Sequence, residues 1–202
     1  MIELQRLNKS LLVERLLLLH IPRTGGQSLL RLMLDSGWER SERFEVSSRH
    51  SNHFEIRATY KQLGESIPDS LAVVRHPMRR IESAFFKDHR AKSPRDMWDQ
   101  LRAMKVEEIY LAFNRQLRPA VDMVHDKSFI WKYEEGLTKL RAALLDRNWV
   151  KRSAELKHFD KSNKPLLNWR ESPQDVIEKI MKVYAQDFYE FQYRLFPEDE
   201  GH

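Results

Sequence analysis

One stretch decides the fold of this chain: Leu16-Leu17-Leu18-Leu19-His20-Ile21-Pro22-Arg23-Thr24-Gly25-Gly26-Gln27-Ser28-Leu29-Leu30. It begins with a short, continuous apolar run, which is typical of a buried parallel strand. A glycine pair follows, and glycine adopts backbone conformations that other residues avoid. Leu29, Leu30, Leu32 and Met33 then recur at helical spacing. The stretch therefore predicts a strand, a tight turn and a helix.

The turn predicts an anion site. A helix that begins at the glycine pair directs the N–H groups of its first turn, and the positive end of its dipole, toward the turn. Polar side chains that suit a phosphate or sulfate ester stand nearby, namely Arg23, Thr24, Gln27 and Ser28. The nucleoside-triphosphatase loop G-x-x-x-x-G-K-[ST] requires lysine where Gln27 stands, and the dinucleotide fingerprint G-x-G-x-x-G is absent. Both observations disfavour those classes of protein.

A second stretch has the same layout. Leu71-Ala72-Val73-Val74-Arg75-His76-Pro77-Met78-Arg79-Arg80-Ile81-Glu82-Ser83-Ala84-Phe85 is an apolar strand followed by a helix that begins near proline. The carboxyl ends of parallel strands meet at one edge of a sheet, so we expect Arg75 to lie near the first turn. An arginine fork and a hydroxyl, from Ser83, are good partners for a phosphate.

Together the two stretches resemble a known family. His20 to Ser28 resembles the H-I-P-K-T-G-G-T-S loop of sulfotransferases that use 3′-phosphoadenosine 5′-phosphosulfate (PAPS), especially the carbohydrate (heparan sulfate 2-O-) sulfotransferase-like branch. Arg75 to Ser83 resembles the family's second signature, R-x-P-x-x-R-x-x-S. Weaker similarity extends the resemblance over about residues 16–194. It implies transfer of a sulfuryl group from PAPS to an acceptor hydroxyl, such as that of a carbohydrate, with release of adenosine 3′,5′-bisphosphate (PAP).

The resemblance also implies a set of residues that bind the donor. The first loop would hold the 5′-phosphosulfate, and Arg75 with Ser83 would hold the 3′-phosphate. A basic segment, 156–165, resembles the loop that closes over the 3′ side of the nucleotide in similar enzymes. The predicted donor-binding residues are Arg23, Thr24, Gly25, Gly26, Gln27, Ser28, Arg75, Ser83, Lys161 and Ser162.

Sulfuryl transfer requires charge stabilisation on the leaving phosphate and a base for the acceptor proton. Arg23 stands where the family has lysine, and arginine keeps its proton at ordinary pH, so we expect an electrostatic clamp rather than an acid. Histidine titrates near neutral pH, which makes His53 the first candidate base and His50 the second. Glu55 is the reserve, because other branches use glutamate. His50 and His53 supply at most two zinc ligands, and no metal is expected.

Composition bounds the class of protein. The chain has 202 residues and a net charge of +5, which suits one well-buried domain over 1–202 and an anionic cofactor. It has no cysteine, which excludes disulfides and thiolate metal sites. The apolar run of 11–21 is too short to span a bilayer, so we expect no membrane span and a cytoplasmic protein.

The remaining patterns predict an α/β protein: a three-layer α/β/α sandwich with a small, mainly parallel sheet, like that of P-loop NTPases. We expect strands near 15–21, 70–75 and 129–133. Helices are expected near 26–36, 54–63, 77–87, 96–104, 106–114, 137–146 and 174–189. The segments 36–53 and 87–125 would line the acceptor pocket.

Two other functions remain open. The basic charge and the aromatic residues also suit a non-catalytic module that binds polyanions or nucleic acid, although the donor motifs make nucleic acid the lesser expectation. A nucleotide kinase of related fold would bind magnesium and ATP, and the missing glycine–lysine pair argues against it.

Overall fold

The computed structural model describes residues 1–8, 10–41, 53–87, 90–155 and 167–197. The chain divides into two compact units, each built from two separate segments. The first comprises Met1–Val74 and Asp122–Asp160, and the second comprises Arg75–Val121 and Lys161–His202. That 1–202 forms one functional domain stays a prediction.

The first unit contains a five-stranded sheet of order β3-β1-β2-β4-β5. The strands are β1 (Ile2–Leu7), β2 (Val13–Leu19), β3 (Glu39–Arg40), β4 (Ser70–Val74) and β5 (Ser128–Lys132). β2, β4 and β5 run parallel, with Leu17 opposite Ser70 and Ser70 opposite Ser128. The sheet is thus small and parallel at its centre, as predicted, and its other edge is antiparallel.

That antiparallel edge is the part of the sheet that the sequence patterns did not predict. β1 pairs antiparallel with both β2 and β3. In β1 the apolar residues Ile2, Leu4 and Leu7 alternate only partly with polar ones, and Glu3 is buried. β3 is two residues long, too short for any periodicity to show.

Helices lie on both faces of this sheet. On one face, α1 (Gly26–Asp35) and α6 (Leu137–Asp146) share a core with Leu4 and Leu16. Side chains alternate along a strand, so Glu3 lies on the other face. There its carboxylate accepts a hydrogen bond from Tyr60 of α2 (His53–Gln62). The unit has three layers, and the predicted α/β class with a P-loop-like arrangement is confirmed.

The second unit is helical among its described residues. It contains α3 (Pro77–Lys87), α4 (Pro94–Ala103), α5 (Val106–Arg115) and α7 (Gln174–Glu190). Its own apolar core includes Phe85, Leu101, Ile109, Trp169 and Ile180. The observed bounds of α3 and α6 equal the predicted ones, and the other predicted helices differ by one or two residues at an end. Among the described residues, none of the helices has the length and apolarity to cross a membrane.

Candidate functional site

The loop between β2 and α1 owes its shape to the backbone. Gly25, the residue before α1, has φ +80°, a left-handed conformation that favours glycine. Arg23 is also left-handed, with φ +67°, which is uncommon for a residue with a side chain. Thr24 is buried, and its hydroxyl donates a hydrogen bond of 2.7 Å to the carbonyl of Ile21. The Thr24 hydroxyl thus closes the loop onto the carbonyl of Ile21.

The glycine pair allows close approach by two neighbours. A Cβ at Gly26 would lie 2.6 Å from Cδ2 of His20, closer than real side chains tolerate. A Cβ at Gly25 would lie 3.2 Å from Cε2 of Tyr133, the residue that follows β5. The loop is therefore a tight cradle made by β2, β5 and the start of α1.

The start of α1 suits an anion. No side chain caps the helix at Gly25, and the first turn carries no acidic residue. The N–H groups there and the helix dipole favour negative charge. Gln27 is exposed and Ser28 is buried in this turn. The cradle and the first turn fit the phosphosulfate end of a PAPS-type donor.

The second motif begins where β4 ends. Arg75 is half-buried, and it opens the second unit directly after Val74. Ser83 is half-buried in the second turn of α3. The approach of these two side chains to the phosphate loop stays a prediction.

His76, beside Arg75, has a structural role. Its Nδ1 accepts a hydrogen bond of 3.2 Å from the backbone N–H of Met78, and its Nε2 donates one of 2.9 Å to the carbonyl of Arg194. An imidazole that accepts at one nitrogen and donates at the other is neutral. Burial, the largest cause, lowers the pKa of His76 to about 4. This side chain therefore fixes the turn into α3 as a neutral group.

Two buried ion pairs hold α3. Arg79 donates a hydrogen bond of 2.9 Å to Glu82, which also accepts one of 3.2 Å from the indole of Trp169. Nη1 of Arg80 lies 3.5 Å from Oδ2 of Asp187, and both side chains are buried. Arg80 is the second arginine of the signature that Arg75 to Ser83 resembles, but the sequence analysis assigned no role to it, to Arg79 or to Glu82. The clue was present in the sequence, since charged residues interrupt the apolar face of the predicted helix.

His53, the first predicted base, begins α2. Its Nδ1 lies 3.1 Å from the carbonyl of Asp122, which can only accept, so Nδ1 is the donor of this hydrogen bond. One turn later, Arg57 forms an ion pair of 3.0 Å with Asp126. The segment from Asp122 to Asp126 leads into β5. The role of His53 as the base stays a prediction.

Three predicted site residues, His50, Lys161 and Ser162, lie outside the described residues. The alternative base Glu55 is exposed in the first turn of α2. In the described part of the chain, no cluster of three or more His, Asp or Glu side chains is arranged to hold a metal ion.

Two residues beside the loop were not predicted, His20 and Tyr133. His20 stands within the first motif, and its contact with Gly26 follows from the turn. Tyr133 is about 110 residues away in sequence, and only the parallel pairing of β5 with β4 brings it to this sheet edge. An aromatic residue at the carboxyl end of the predicted strand 129–133 is the one signal that pointed to it.

A parallel strand, a glycine turn and a helix whose first turn accepts an anion define a P-loop-like α/β protein. The family model described as "Sulfotransferase family" matches residues 13–194, and the chain belongs to this family. No curated protein and no solved structure gives a significant match. Family membership supports sulfuryl transfer in general, and therefore an acceptor that bears a nucleophile such as a hydroxyl.

Proposed function

We propose that this protein transfers a sulfuryl group from PAPS to an acceptor hydroxyl and releases PAP. The observation that carries the proposal is the glycine cradle at the start of α1, in a chain that matches the family over residues 13–194. PAPS supplies the activated sulfuryl group when it is bound. The carbohydrate class of acceptor is part of the proposal and rests on the resemblance of the two motifs to the carbohydrate branch.

The phosphate loop binds and orients the 5′-phosphosulfate end. The backbone of Gly25 and Gly26 and the first turn of α1 provide N–H donors, while the buried Ser28 and the exposed Gln27 flank them. Gln27 replaces the threonine of the family pattern with an amide, which both donates and accepts hydrogen bonds.

Arg23 neutralises the charge that develops on the leaving phosphate. Its left-handed backbone is held at the centre of the loop, and its guanidinium is charged at any ordinary pH. Arginine cannot donate its proton as a lysine can, so its contribution is electrostatic.

Arg75 and Ser83 hold the 3′-phosphate, with Lys161 and Ser162 as further contacts. A guanidinium provides paired, charge-assisted donors, each worth about 1.5–3 kcal/mol. Arg75→Ala is expected to weaken PAP binding by at least tenfold in calorimetry. The matched control is Arg95→Ala, an exposed arginine of α4, which should leave PAP binding unchanged. Equal affinity in the two variants would remove Arg75 from the donor site.

His53 is the proposed base, with His50 and Glu55 as alternatives. Nδ1 of His53 donates to the carbonyl of Asp122, so in the neutral imidazole Nε2 is the nitrogen that takes the acceptor proton. His53→Ala is expected to keep PAP affinity and to slow PAP release from PAPS, measured with an acceptor that the unmodified enzyme sulfates. A fully active variant would transfer the role to His50 or Glu55.

The first test of the whole proposal is thermal unfolding with PAP, and separately with ATP and magnesium. A specific ligand at about 100 times its dissociation constant adds about 2.7 kcal/mol of stability. We expect stabilisation by PAP alone. A larger effect of magnesium–ATP would favour a kinase. Stabilisation by any polyanion, with steep salt dependence, would favour a binding module.

A further inference from the structure

A cluster of exposed apolar side chains covers the hairpin that joins β1 to β2. It consists of Leu7, Leu11, Leu12 and Val13, each 61–77% exposed, and we call these four residues the apolar tip. Leu7 and Val13 are opposite each other in the antiparallel pairing of the two strands. Single exposed leucines are ordinary, whereas an exposed cluster of this kind marks an interaction surface.

The loop of the hairpin bonds its own backbone N–H groups. The Asn8 side chain accepts hydrogen bonds of 2.9 Å from the N–H groups of Ser10 and Leu12. The N–H of Leu11 donates to the carbonyl of Asn8, and the N–H of Asn8 donates to the carbonyl of Leu12. N–H groups that are already bonded enter an apolar medium without the cost of losing water. The apolar tip is therefore suited to an environment that offers no hydrogen bonds.

The backbone of Leu11 carries a cost that packing within the protein does not offset. Its φ is +59°, a left-handed conformation that glycine and asparagine adopt more readily than leucine. The side chain is 77% exposed, so it gains little from burial in the protein. An external apolar environment would supply the missing gain.

A basic turn lies beside the apolar tip. Nη2 of Arg6, the residue before Leu7, donates a hydrogen bond of 2.6 Å to the carbonyl of Asn148, which holds the turn 147–152 against the end of β1. The turn contains the exposed cations Arg147, Lys151 and Arg152 and no acidic residue. Even when Asp146, just before the turn, is included, the net charge of this segment is +2. A positive surface next to an apolar one is complementary to a bilayer that contains anionic lipids.

The size of the apolar tip favours a bilayer over a second protein. A stable protein interface uses about 20–30 residues on each side, whereas the tip has four. A few inserted side chains and a few cations are enough for reversible attachment to a lipid surface. Three of the four tip residues also precede residues 13–194, which the family model matches. The family match thus gives this hairpin no role.

We propose that the apolar tip inserts into the surface of a bilayer that contains anionic lipids, while the basic turn lies against the headgroups. The proposal is independent of the function proposed above. β2 runs from Val13 at the tip to Leu19, just before the phosphate loop, and spans about 20 Å. Substitutions at the tip should therefore leave PAP binding unchanged.

The first test is co-sedimentation of the full chain with vesicles of phosphatidylcholine alone, or with about one third phosphatidylglycerol. We expect binding to the anionic vesicles to be at least tenfold tighter. The double variant Leu11→Asn, Leu12→Ser should weaken it at least tenfold, since two apolar side chains are lost. Asparagine suits the left-handed backbone at position 11, so the fold is kept. The matched control is Leu111→Gln, an exposed leucine of α5.

A second pair of variants tests the basic turn. Lys151→Gln combined with Arg152→Gln should weaken binding to the anionic vesicles at least fivefold and leave binding to phosphatidylcholine unchanged. Arg95→Gln, at an exposed position of α4, is the control and should bind like the unmodified protein. Equal binding by the double variant and the control would remove the basic turn from the proposed surface.

Insertion itself is tested with a fluorophore. The chain has no cysteine, so Leu12→Cys carries a single polarity-sensitive label. Its emission should shift to shorter wavelength on anionic vesicles, whereas the same label on Leu111→Cys should not shift. Absence of vesicle binding, an unshifted label at position 12, or tip variants that bind like Leu111→Gln would overturn the proposal. A dimer in light scattering that the double tip variant dissociates would assign the tip to a second copy of the chain instead.

Discussion

The phosphate loop and the turn into α3 both follow a buried parallel strand, but they hold their shapes by different means. The backbone conformation holds the shape of the loop: Gly25 and Arg23 are left-handed, and no Cβ fits at Gly26. In the turn, buried side chains hold the shape, because His76 and Arg80 donate to carbonyls of distant segments and Arg80 also forms an ion pair with Asp187.

This difference predicts which substitutions each region tolerates. A region shaped by its backbone is damaged by adding a single carbon, whatever the charge. A region shaped by buried polar groups is damaged by removing a charge or adding a proton, because the partner left behind stays buried without compensation. Variants that change only one of these properties therefore test the comparison directly.

The largest expected effect is on the turn, from Arg80→Met. Nη2 of Arg80 donates to the carbonyls of Gln116 and Arg118, at 3.2 and 2.9 Å, and Nη1 lies beside Asp187. Methionine fills the space but leaves the Asp187 carboxylate buried without its cation. The free energy of unfolding should fall by about 3–5 kcal/mol in urea titrations.

The control for Arg80 is an exposed ion pair. Arg102 lies 2.8 Å from Asp175, and both side chains are in solvent. Arg102→Ala should change the free energy of unfolding by little more than experimental error. If Arg80→Met and Arg102→Ala destabilised the protein equally, burial would not be what gives the Arg80 pair its importance.

The next effect is a pH dependence from His76. The pKa of His76 is about 4 in the folded protein and 6.5 in the unfolded chain. Between these two pH values the unfolded chain therefore binds a proton that the folded protein does not bind. Stability from this group is complete above pH 6.5 and falls as the pH drops toward 4, by about 3 kcal/mol. Unfolding of the unmodified protein and of His76→Gln should be compared at pH 7, 5.5 and 4. If the free energies of unfolding of the two proteins changed with pH in the same way, the assignment of this pH dependence to His76 would be contradicted.

The smallest effect on stability is expected in the loop, from Gly25→Ala. A left-handed alanine costs about 1–2 kcal/mol. Gly64 is the matched control, because its φ is +67° and a Cβ there would meet nothing within 4 Å. Both alanine variants should lose similar stability, but only Gly25→Ala should weaken PAP binding, since its Cβ crowds Tyr133. If the Gly25→Ala and Gly64→Ala variants bound PAP equally well, the glycine cradle would not be part of the donor site.

Local patterns predicted the central strands and the long helices well. Residues 16–19 of β2 are a continuous apolar run, and α3 and α6 repeat apolar residues at helical spacing, so these elements are properties of the local sequence. The observed β2, Val13–Leu19, begins and ends two residues before the predicted strand of 15–21, because it extends through the polar Glu14 and Arg15. β1 lies between β2 and β3, and it was missed because its apolar residues alternate only partly with polar ones and its buried positions include Glu3. Only the partner Tyr60, 57 residues away, makes that carboxylate tolerable there.

By itself, the sequence determined the strand–turn–helix of the phosphate loop and the family resemblance, because glycine spacing and apolar runs act over a few neighbouring residues. The tertiary structure alone decided that Tyr133 lies at Gly25, that His76 is neutral, and that Arg80 is paired with Asp187. These contacts join residues far apart in the chain, and their geometry depends on strand register and burial, which no local pattern encodes.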